Sequence, residues 1–127
     1  MSDKNESSIF EAVGGMDFFD ELVERFYAGV VDDEVLISMY PEDLTDPKRH
    51  LALFIAQYFG GPADYHDARG APRLRQRHFP FEIGDDAAER WVKHMRSALA
   101  GMEAPEYARK EMDDYFEYAA FALRNRD

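Results

Sequence analysis

The stretch MDFFDELVERFYAGVV, residues 16–31, sets Phe18, Phe19, Leu22, Val23, Phe26, Tyr27, Val30 and Val31 at three- and four-residue steps. That spacing is one face of an amphipathic α-helix, whereas a half-buried strand needs apolar residues at every second position. Gly14-Gly15 marks a sharp corner before it, after a short opening turn over residues 9–13. A short helical piece over 34–39 stops at Tyr40-Pro41, because a residue ahead of proline is pushed out of helical geometry. Asp46-Pro47 reads as an N-cap followed by proline at the first helical position. The helix it opens carries Leu51, Phe54, Ile55 and Tyr58 on one face and ends at Gly60-Gly61-Pro62.

Pro62, Gly70, Pro72 and Pro80 keep any helix over residues 62–82 short. Leu74, Phe79, Phe81 and Ile83 are too apolar for a disordered linker, so this insert is expected to be ordered by something it touches. Asp85 or Asp86 can cap a helix through Trp91, Met95 and Leu99, closed by Gly101. A last helix is expected over about 105–124, with Tyr107, Met112, Tyr115, Phe116, Ala119 and Leu123 as its apolar face. Nothing alternates with period two over a strand length. The fold class is all-α.

A chain of 127 residues suits one domain with a real core. We read residues 1–8 as a flexible N-terminus and 9–127 as that domain. Asp and Glu number 26 against 15 Lys and Arg, a net charge of -11, which opposes non-specific binding to nucleic acid or to anionic membrane. There is no cysteine, so thiol catalysis and thiolate metal sites fall away together. No apolar run approaches the roughly 20 residues of a membrane span. The polar start MSDKNESS has no signal core, so the expected location is the cytoplasm.

Against this acidic background, Arg69, Arg73, Arg75 and Arg77 gather with no acid between Ala68 and Phe81, around His78. Such a run either pairs with acidic helices or binds an anionic group, for which the planar guanidinium fork is suited. The histidines, His50, His66, His78 and His94, lack zinc spacing without cysteine, and no Glu-x-x-His pair supports a di-metal carboxylate site. Phosphate loops, dinucleotide fingerprints and nucleophile elbows are likewise missing. One single-ligand metal system remains: haem, whose iron needs one imidazole, whose ring needs an apolar slot, and whose two carboxylates suit arginine or tyrosine. Trp91 is either core or a buried N–H donor seeking an acceptor, and Tyr27 and Tyr40 have the same two options.

In order along the chain stand AVGG (12–15), RFYAGV (25–30), YPED (40–43), QYFGGP (57–62) and GAPRLRQRHFPF (70–81). With these motifs, and with Trp91 at its place, the sequence resembles the truncated haemoglobins of group II over about residues 10–123. The resemblance implies a two-over-two helical sandwich enclosing haem b, with His78 as proximal ligand of the iron. It implies a distal polar set of Tyr27, Tyr40 and Trp91. Leu51, Phe54 and Ile55 would pack on the distal face, and Leu74, Phe81, Ile83 and Met95 would line the rest. For the propionates it suggests Arg77 first, then Tyr65, Arg73 and His50. The distal histidine usual in globins has no counterpart, since Pro47 falls near its place, and Phe59 stands where relatives often carry a second tryptophan.

These residues lead to a protein that binds dioxygen and other diatomic ligands. Several donors aimed at one ligand slow its release, so redox chemistry on nitric oxide or peroxide, with a reductase, is a better expectation than oxygen transport. The alternative is a ligand sensor or oxygen store that signals to a protein partner. A third reading is a haem-free helical interaction domain.

Overall fold

A computed structural model of the chain describes residues 8–62 and 84–122. Among them are six helices and no strand: α1 (Ile9–Ala12), α2 (Met16–Val30), α3 (Glu34–Ile37), α4 (Thr45–Tyr58), α5 (Asp85–Ala100) and α6 (Glu106–Ala122). The all-α expectation holds. The insert over 62–82 lies outside the described residues except for Pro62.

The three- and four-residue apolar steps of α2 become its buried face. Phe18, Phe19, Leu22, Val23, Phe26, Tyr27 and Val30 all lie in the core, while Val31, just past the helix, is exposed. Helix α2 packs against both α4 and α5, and α5 packs against α6, so two helix pairs meet through the α2–α5 contact. Phe19, Phe26, Phe116 and Leu22 are fully buried there, and each such side chain contributes roughly 1.5–3 kcal/mol of hydrophobic stabilisation. Met95 and Met112 are also fully buried in this core.

The helix ends follow local chemistry. Gly14 and Gly15 take φ of 100° and 89°, a region closed to residues with a Cβ, and this makes the corner between α1 and α2. At the end of α4, Gly60 has φ 104°, its N–H donates to Gln57 O, and the Gly61 N–H donates to Ala56 O at 2.8 Å. That paired arrangement satisfies the last carbonyls of the helix. Arg109 of α6 closes α5 in another way, donating to Leu99 O at 2.7 Å and to Met102 O at 2.6 Å.

Several expectations need correction. Helix α4 begins at Thr45, whose N–H donates to the Asp43 carboxylate at 3.0 Å, so Asp46 and Pro47 lie inside the first turn. Proline is tolerated there because first-turn N–H groups have no partner within the helix. Gly84, not Asp85 or Asp86, is the N-cap of α5, and Asp86 instead accepts from Arg90 Nε at 3.0 Å. On α4 the core face is Ala52, Ile55 and Ala56, followed by Phe59. Tyr58 is exposed and stacks on Tyr115 at 3.9 Å. Tyr107 is exposed as well, whereas Ala108, Met112, Phe116 and Ala120 form the buried face of α6. No described helix is long and apolar enough to cross a membrane.

Candidate functional site

Three elements bring Tyr27, Tyr40 and Trp91 together. Tyr27 lies on the core face of α2, Trp91 on α5, and Tyr40 just past α3, where its N–H donates to Ile37 O at 3.1 Å. The Tyr27 and Tyr40 rings meet edge to face with centroids 5.3 Å apart. Phe26 touches Tyr27 at 5.0 Å and Trp91 at 5.3 Å, bridging the two sides. On its other side Trp91 meets Phe116 at 6.0 Å. Edge-to-face contacts of this kind fix ring orientation as well as burying area.

Tyr40 is pushed up from the ordinary phenol range by burial, while side-chain hydrogen bonding from Tyr27 and from Trp91 works in the opposite direction. Tyr27 is raised strongly, first by burial and then by its neighbour Tyr40. An indole N–H only donates, and a donor lowers the pKa of the oxygen that accepts from it. The direction of these shifts is that of Trp91 and Tyr27 acting as donors towards Tyr40. Both phenols stay protonated well above neutral pH, so the cluster is a set of fixed donors.

Of the apolar residues expected around it, Ile55 and Met95 are fully buried, and Leu51 and Phe54 are half-buried and packed against the same core. His50 is half-buried on α4. His78, Arg77, Tyr65, Arg73, Leu74, Phe81 and Ile83 lie outside the described residues. Among the described residues no group of three or more His, Cys, Asp or Glu can hold a metal ion. A group bound beside this cluster would meet one apolar wall from α4 and α5 and a small set of neutral N–H and O–H donors. That chemistry fits a flat, apolar macrocycle whose metal takes up a small polar ligand.

The sequence reading missed a second polar cluster, immediately behind the first. Asp33 is the one buried charged residue among those described. Its Oδ1 accepts from Val35 N at 3.0 Å and Leu36 N at 3.2 Å, capping α3. The same oxygen accepts from an Arg90 guanidinium nitrogen at 3.0 Å, and Oδ2 lies 2.8 Å from His94 Nε2. Burial alone would raise the Asp33 pKa, but these hydrogen bonds, from His94 foremost, outweigh it and lower it to about 2. The local cue was the aspartate before Glu34 at a helix start; its partners are 57 and 61 residues away and leave no sequence signal.

A depressed folded-state pKa means that Asp33 stabilises the fold fully above its unfolded value of 3.8. The contribution is lost as pH falls towards the folded value of about 2. Asp33→Asn is expected to lower thermal stability at neutral pH and to flatten its decline through that acid window. Melting curves across the window check this; an equally steep decline in the variant would remove Asp33 as the cause.

A family model described as bacterial-like globin matches residues 8–125. The group 2 truncated haemoglobin YjbI of Bacillus subtilis is 38% identical over 90 residues, covering 71% of this chain and 67% of that protein. A crystal structure of haemoglobin from Chloroflexus aurantiacus superposes with a TM-score of 0.93 at 46% identity, covering 95% of this chain and all of that one. The group II truncated haemoglobin of Bacillus anthracis gives 0.91 at 34% identity, covering 96% and 94%.

Proposed function

We propose, for a chain that belongs to the bacterial-like globin family and is a truncated haemoglobin of group II, that His78 holds the haem iron and that Tyr27, Tyr40 and Trp91 control the ligand opposite it. Globins of this family bind haem, and with it small gaseous ligands such as oxygen. When bound, the haem supplies an iron centre that takes up a diatomic molecule and can exchange electrons. The rest is the work of the chain.

The observation that carries the reading is the grouping of Tyr27, Tyr40 and Trp91 in one aromatic cluster, Tyr27 edge to face with Tyr40 and Phe26 in contact with both Tyr27 and Trp91. Tyr40 is held with its proton available, and a buried hydrogen bond to a ligand with negative character contributes roughly 0.5–3 kcal/mol. Such donors discriminate by charge: dioxygen gains more from them than carbon monoxide does. Leu51, Phe54, Ile55 and Met95 exclude water from that side, which strengthens each donation. For the propionates, Arg77 is the first choice among Arg77, Tyr65, Arg73 and His50. The guanidinium fork suits a carboxylate, and Arg77 stands next to His78 in the sequence.

A pocket that retains dioxygen this firmly suits redox chemistry on nitric oxide or peroxide, with electrons from a reductase, better than delivery of oxygen. Storage or sensing, with the ligand state passed to a protein partner, uses the same pocket without turnover. The oxygenated protein is expected to consume nitric oxide catalytically, or the ferric protein peroxide, when a reductase system is supplied. A single stoichiometric reaction with no further turnover favours the sensor or store.

A further inference from the structure

Among the described residues, Asp33 stands at the one point where the elements carrying Tyr40 and Trp91 are tied together by charge. Its carboxylate caps α3, and α3 runs directly into Tyr40 through the bonds Met39 N–H to Leu36 O and Tyr40 N–H to Ile37 O. On the other side it binds Arg90 and His94, which flank Trp91 on α5 at one residue before and three residues after. His94 and Trp91 therefore share a face of the helix. The His94 ring is also pinned against α2: a Cβ on Gly29 would lie 2.6 Å from its Nδ1. Three helices meet at this imidazole. Arg90 is braced in turn by Asp86, which accepts from its Nε at 3.0 Å.

We propose that Asp33 is a positioning residue for the distal pocket, clamping α5 to α3 through His94 and Arg90 so that Trp91 on α5 keeps its place relative to Tyr40 at the end of α3. This rests on the reading of Tyr27, Tyr40 and Trp91 as the distal set. Hydrogen bonds weaken steeply with misalignment, so a small shift of α5 against α3 is enough to loosen the donation. Without the carboxylate, Arg90 and His94 lose the anion that draws them to the start of α3.

Trp91 is the only tryptophan in the chain, so ultraviolet resonance Raman bands of indole report on it alone. The test compares those bands, and the dioxygen dissociation rate, in haem-loaded wild type, Asp33→Asn, His94→Leu and His94→Gln, with Trp91→Phe as reference for the rate. Asparagine caps a helix as well as aspartate does, which keeps α3 formed. Asp33→Asn and His94→Leu are expected to shift the hydrogen-bond-sensitive indole band and to speed dissociation about threefold or more. His94→Gln, whose amide still donates to Asp33, returns both towards wild type. An unchanged band and rate in Asp33→Asn, even with a lowered melting temperature, overturns the proposal and leaves Asp33 a purely structural cap. If Trp91→Phe itself leaves the rate unchanged, the distal reading fails instead. The indole band then decides alone: a shift in Asp33→Asn supports the clamp and an unshifted band overturns it.

Discussion

Trp91→Phe is expected to accelerate dioxygen dissociation by about tenfold, equivalent to roughly 1.4 kcal/mol of lost stabilisation. The substitution keeps an aromatic ring against Phe26 and Phe116, its neighbours at 5.3 and 6.0 Å, so packing changes little. What disappears is the chain's single indole N–H, whose hydrogen bonding works against burial in setting the Tyr40 pKa. Carbon monoxide release, in contrast, should change much less, because that ligand carries little negative charge for a donor to meet. Stopped-flow displacement of each ligand separates the two cases. Equal acceleration of both would indicate a loosened pocket, and an unchanged dioxygen rate would exclude Trp91 from ligand control.

The helical architecture was legible wherever an apolar period ran long. Helix α2 shows this best: of eight apolar residues read from spacing, seven are buried, and only Val31, just past the helix, is exposed. Ends were less legible, because several residues can cap and only one does. Asp46-Pro47 carries the right chemistry for a helix start, yet the Asp43 carboxylate reaches Thr45 N first and moves the start of α4 forward. Asp85 and Asp86 fail as caps for a similar reason, since Gly84 takes that position. Tyr58 and Tyr107 were misassigned because a tyrosine on the edge of an apolar face can turn its ring outwards, as both do.

The candidate site divides along the same physical line. Tyr27, Tyr40 and Trp91 were named from their residue types and from family motifs, and they do lie together around Phe26. How their rings meet could not be read from the sequence, because it depends on how α2, α5 and the end of α3 approach one another. Asp33 was invisible for the same reason. Its role comes from Arg90 and His94, which no periodicity connects to it. The motif residues 70–81 are the reverse case: their reading rests on sequence, and His78 with its arginines lies outside the described residues.

The largest expected effect belongs to His78. An imidazole is the only protein group assigned to the iron, so its removal should take away the bond that anchors haem in the fold and sets the iron's spectrum. His78→Gly leaves space where the imidazole stood, and free imidazole added to the solution can fill it. This separates lost ligation from lost folding: a variant that merely fails to fold is not repaired by a small ligand.

The central measurement is thus the absorption spectrum of the haem-supplied protein in ferric, ferrous and dioxygen-exposed forms, for wild type and for His78→Gly with and without imidazole. The expected result is a Soret band in wild type that responds to reduction and to dioxygen, is lost or displaced in His78→Gly, and returns with imidazole. A wild type without a Soret band, or a His78→Gly variant whose spectra match wild type in all three forms, would contradict the account.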